Sequence, residues 1–72
     1  MTLINDRKTG GRLAYNIALG NEVMGDLQEA SIWAGKAFTD YGYKKGRTYA
    51  QELSRRMIQE DIVREQLIRD ND

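Results

Sequence analysis

From Arg12 to Leu19, large apolar residues alternate with small or polar ones: Leu13, Tyr15, Ile17 and Leu19 against Arg12, Ala14, Asn16 and Ala18. Four successive matches to a period of two predict a half-buried β-strand over 12–19 with one apolar face. Wound as a helix, the same four residues would spread around more than half the circumference. Gly20-Asn21 ends the alternation, and Asn21 has the chemistry of a helix N-cap, with Glu22 in the favourable first turn. The period then changes to 3.6. Val23, Met24, Leu27, Ala30, Ser31, Ala34, Phe38 and Tyr41 fall on one stripe, predicting a helix over about 22–40. Gly25 and Gly35 weaken it by roughly 1 kcal/mol each relative to alanine.

Asp40 to Gly46 reads as a basic, glycine-bearing loop. Thr48 is the expected N-cap of a second helix over about 48–69, with Gln51 as its capping-box partner. Acid-then-base pairs at i,i+4 lace that helix: Glu52 and Arg56, Glu60 and Arg64, Glu65 and Arg69. Its apolar residues form two faces. Tyr49, Ala50, Leu53, Met57, Leu67 and Ile68 share one, and Ile58 and Ile62 point the opposite way, a pattern that favours contact with a second subunit over a simple bend near Glu60. Residues 1–11 read as an arm with turn material at Lys8 to Gly11. Residues 12–72 then form one domain.

Length and composition narrow the function. A chain of 72 residues holds one domain, and a core of this size rarely supplies more than roughly 3–5 kcal/mol without a disulfide, a metal or a partner subunit. The sequence has no Cys and no His, which removes disulfides, zinc fingers, a thiol nucleophile and a histidine base. A homodimer is therefore the expected staple. Glu60 and Asp61 sit among Arg55, Arg56 and Arg64, as on a solvated, salt-bridged face, and Ser31 and Ser54 have no histidine partner. The seven glycines lack phosphate-loop spacing. The sequence reads as that of a non-enzyme with no cofactor and no metal. Apolar runs are too short for a membrane span or a signal-peptide core, which predicts a cytoplasmic location.

The zero net charge conceals a segregated distribution. Residues 1–20 carry +2, 21–41 carry −3, 42–56 carry +4 and 57–72 carry −3. Positive charge thus gathers near the predicted strand and at the start of the second helix, where a polyanion could be held.

The order strand, helix, basic loop, helix resembles the ribbon-helix-helix DNA-binding family of the Arc/MetJ type. The resemblance rests on the alternating segment Arg12–Leu19 followed by Gly20-Asn21-Glu22-Val23-Met24-Gly25-Asp26-Leu27, and on Gly46-Arg47-Thr48-Tyr49-Ala50-Gln51-Glu52-Leu53 opening the second helix. It covers about residues 12–60. It implies a mainly α, β-α-α fold, dimeric through an intermolecular two-stranded ribbon, and a transcriptional repressor or antitoxin-like autoregulator that binds double-stranded DNA. Arg12, Ala14 and Asn16 would then face the bases. Lys44, Lys45, Arg47 and Thr48 would hold phosphate. Leu13, Tyr15, Ile17 and Leu19 would form the dimer core, joined by Ile58 and Ile62. A stretch from Gly20 to Gly46 longer than the family's usual spacing is a departure from the pattern. The alternative reading is an N-terminal hairpin of residues 2–6 and 12–19 carrying two helices, in a phage- or plasmid-type interaction protein that modulates a host protein.

Overall fold

The computed structural model describes residues 6–70, and every described element is an α-helix: α1 (Asp6–Val23), α2 (Leu27–Thr39) and α3 (Lys44–Asp70). No strand occurs among the described residues, which overturns the β-α-α expectation. Residues 12–19 lie within α1, so no intermolecular ribbon can form there, and the hairpin alternative loses its second strand. Of its first strand, residues 2–6, Asp6 opens α1 and residues 2–5 lie outside the described residues. The predicted arm is cut short as well, because α1 already begins at Asp6.

The reason lies in which residues of the alternating segment are buried. Ala14 is 2% exposed and Ala18 fully buried, whereas Leu13 is 60% exposed and Leu19 38%. Gly11, Ala14 and Ala18 recur at helical spacing and form the face on which the other helices lie. The small positions, expected to point outward, are the contact surface; two of the large ones point to solvent. Of the four residues expected to form a dimer core, Tyr15 is half-buried against the core and Ile17 is half-buried.

The first predicted helix is also displaced. Asn21 is not an N-cap but lies inside α1, where its side-chain Nδ2 donates to the Ile17 carbonyl at 2.9 Å. The chain reverses at Gly25, whose φ of +85° suits glycine. Gly25 N donates to Glu22 O at 2.9 Å and Asp26 N to Asn21 O at 2.8 Å, the paired bonds of a Schellman helix end. Asp26 caps α2 by accepting from the Glu29 amide at 3.1 Å. A second reversal at Gly42 leads to α3, which starts at Lys44, so Thr48 lies inside the helix rather than at its cap.

The three helices run up, down and up. Gly10 and Gly11 of α1 lie against Tyr41 and Tyr43 just before α3, while Glu22 near the end of α1 reaches Arg56 well along α3. α1 and the first half of α3 are therefore parallel, and α2 is antiparallel to both. The core is built mostly of alanine: Ala18, Ala30 and Ala34 surround Tyr49 and Leu53. Leu53 is the large side chain fully sealed from solvent among the described residues. Small residues let the backbones come close, above all at Gly46, where an added Cβ would stand 2.5 Å from the Ala34 carbonyl oxygen. The body ends near Arg56, and α3 runs on without a neighbour. At 1.5 Å per residue, residues 57–70 form an arm about 20 Å long.

Candidate functional site

The side of the body where α1 and α3 lie together carries a shallow cavity of about 270 Å³ lined by Tyr15, Lys45, Thr48, Tyr49 and Glu52. Its floor is a cluster of aromatic rings. Tyr15 meets Tyr43 edge-on at 5.4 Å between centroids and Tyr49 at 5.3 Å, distances at which the ring quadrupoles attract.

A polar network fixes this floor. The Tyr49 hydroxyl donates to Glu22 Oε1, and Arg56 Nη1 donates to Glu22 Oε2. Arg56 also stands 3.8 Å from Glu52. The hydrogen bond from Tyr49, and after it the bond from Arg56, hold the Glu22 carboxyl below its ordinary value of 4.5. Burial, and next the carboxylate it faces, push the Tyr49 phenol well above its ordinary value of 10.0. Glu22 is therefore ionised and Tyr49 protonated across the physiological range. Together they lock α1 to α3.

Around this cavity the helical spacing places Arg12 and Leu19 on the same side of α1 as Tyr15, at i, i+3 and i+7. Asn16 is exposed nearby on α1. Ala14, the third expected base-reading residue, is sealed between helices and can touch no ligand. The expected phosphate residues Lys44, Lys45, Arg47 and Thr48 are all exposed on the first turns of α3, with Arg47 packed against the Phe38 ring at 5.6 Å. Because α1 and the first half of α3 run parallel, Arg7 and Lys8 lie at the same end of the molecule. Ile58 and Ile62 stand on the arm, 61% and 56% exposed. Trp33 is half-buried beside the core, its Nε1 donating to Glu29 Oε1 at 3.2 Å and its ring covered by Lys36 at 4.7 Å.

Nothing in the sequence marks Glu22, Tyr49 and Arg56 as one network. Glu22 and Arg56 are 34 residues apart, and no local pattern links them. Tyr49 had a signal, since it shares the Leu53 and Met57 face of the second helix.

Among the described residues no group of acidic side chains gathers as a metal site, and no helix is long and apolar enough to cross a membrane. What the fold presents is an open, tyrosine-floored face on a small three-helix body with a projecting arm. The chain belongs to the family described as a domain of unknown function (DUF6340), whose profile matches residues 2–60. No curated protein and no solved structure matches the chain.

Proposed function

We propose that this chain is a protein-recognition unit of the helical-repeat kind, which takes an extended polypeptide segment across the α1/α3 face. Helical-repeat proteins stack antiparallel helix pairs so that alternate helices line one shared surface. Here α1 and α3 stand as neighbouring helices of that surface and α2 lies behind them. The spacing also resembles that of the 34-residue helix–turn–helix repeat, whose signature is W-x2-L-G-x2-Y followed by A-x3-F. Ala14, Ile17, Ala18 and Asn21 stand in the first pattern, Ala30 and Ala34 in the second. The small residues of closest approach are kept, and smaller ones replace the bulky Trp, Tyr and Phe.

The observation that carries this reading is the face itself. Tyr15 and Tyr49 supply a rigid apolar floor, and Lys45, Thr48 and Glu52 supply polar groups at its edge that can pair with a peptide backbone and its charges. The test is selection of peptide ligands on the full chain, followed by titration against variants. Lys45→Glu and Thr48→Arg, both at exposed positions, should weaken selected peptides by roughly tenfold or more, an amount equal to losing about 1.4 kcal/mol of binding. Gln28→Ala, exposed on α2, should leave binding unchanged. Peptides indifferent to both face substitutions would refute the proposal.

A second reading is favoured by the convergence of Arg7, Lys8, Lys44, Lys45 and Arg47 at one end of the body. That end could hold double-stranded DNA through phosphates alone, without the base readout a ribbon would supply. Binding that falls steeply with salt and is lost in Lys44→Glu/Lys45→Glu would support it. An unshifted DNA band at low salt would reject it.

A further inference from the structure

We infer that the arm of α3 pairs with the arm of a second copy of this chain, antiparallel and centred on the level of Ile62. The inference stands apart from the peptide-binding reading, because it concerns a different surface.

A seven-residue repeat runs the whole length of α3. Gly46, Ala50, Leu53, Met57, Glu60, Arg64 and Leu67 follow one another at alternating spacings of four and three. The first half of this stripe is occupied. Gly46 lies against Ala34, Ala37 and Phe38 of α2, Leu53 belongs to the core cluster and half-buried Ala50 packs against it. Met57 is half-buried at the end of the body, and from Glu60 onward the same stripe is exposed. It presents a concavity of about 530 Å³ lined by Arg56, Gln59, Glu60, Val63, Arg64 and Leu67. Leu67 is 59% exposed, and Val63 and Ile68, which flank the stripe, 56% and 61%.

Charge selects the occupant and its direction. In an antiparallel pair centred at 62, Met57 faces the partner's Leu67 and Glu60 faces the partner's Arg64; two-fold symmetry repeats both matches. Apolar meets apolar and acid meets base at every level of the stripe. A parallel pair in register would set Glu60 against Glu60 and Arg64 against Arg64, which is repulsive. The antiparallel register also covers the stretch 57–67, exposed beyond half-buried Met57, from end to end. In this register Leu67 and Ile68 stand at the level of the partner's α1–α2 turn, where Val23 and Met24 are 87% and 76% exposed. Ile58 and Ile62, expected from sequence to contact a subunit, fall on the opposite side of the arm and stay outside this pairing.

Sedimentation equilibrium of the full chain tests the pairing. The wild type should form a reversible dimer. Glu60→Arg and Arg64→Glu should each raise the dimer dissociation constant by roughly tenfold or more, since each places like charges face to face. An equimolar mixture of the two variants should associate again, because every facing pair is then complementary. Glu65→Arg, which points away from the stripe, should dimerise as the wild type does. A wild type that stays monomeric, or a Glu60→Arg variant that dimerises unchanged, overturns the inference. Direction is tested by oxidation, since the chain has no cysteine of its own. Met57→Cys mixed with Leu67→Cys should form a disulfide-linked dimer, whereas neither variant should link to itself. Like positions are ten residues apart in this register, about 15 Å, beyond the reach of a disulfide. Self-linking of either single variant would show a parallel arrangement and overturn the proposal. Circular dichroism of each variant confirms that it folds.

Discussion

Replacing Gly46 by alanine sets two effects of opposite sign against each other. Helix propensity and the restriction of the unfolded chain favour alanine by up to about 1 kcal/mol, less so in a first turn. Gly46 is the third residue of α3, and an added Cβ would stand 2.5 Å from the Ala34 carbonyl oxygen, 2.9 Å from the Ala37 Cβ and 3.2 Å from the Phe38 amide nitrogen. All three atoms are fixed to the α2 backbone, so no side chain can swing away; the helices must separate. Overpacking of this kind costs about 1–3 kcal/mol. The net expectation is a loss of about 1–2 kcal/mol, from a total of only about 3–10 kcal/mol for a domain of this size. The melting temperature should fall by roughly 5–15 °C. Gly20→Ala is the control. It lies in α1 with nothing within 4 Å of an added Cβ, so the same substitution should stabilise by about 0.5–1 kcal/mol there. Both are measured by urea and thermal unfolding followed by circular dichroism, at one fixed, low protein concentration so that association does not enter. If Gly46→Ala stabilises the chain as Gly20→Ala does, the close approach of α2 and α3 is wrong, and with it the alignment of the α1/α3 face.

Leu53→Ala removes the large, fully buried side chain at the centre of the core and should cost about 2–5 kcal/mol, enough to leave much of the population unfolded; a loss below about 1 kcal/mol in urea titration would contradict the core described here. Glu22→Gln should make stability less dependent on acid. The native Glu22 carboxyl is held below 4.5 by its bonds from Tyr49 and Arg56. Its contribution is therefore complete above about pH 4.5 and lost as pH falls through the lowered native value. Wild type and variant should differ at neutral pH and converge in strong acid, which unfolding curves across that range would show.

The sequence by itself determined much of the local structure from Leu27 onward. The periodicity from Leu27 to Phe38 and the charged ladder from Glu52 to Arg69 each specify a helix, because i,i+3 and i,i+4 spacing leaves few alternatives over such lengths. The two apolar faces of the last helix and the segregation of charge were also legible, and they supply the arm and the basic end. What the tertiary structure decided was α1. The alternation over 12–19 is real, yet a period-two pattern assumes that large residues go inside. In this body the inside is the narrow gap between closely packed helices, and Gly11, Ala14 and Ala18 fit it where leucine cannot. Burial of alanine against alanine is decided by how near another backbone comes, and no neighbour in sequence reports that distance. The same holds for the site: Glu22, Tyr49 and Arg56 become one network because α2 folds back and sets α1 beside α3, a juxtaposition that depends on two glycine turns and a stripe of small side chains rather than on any motif.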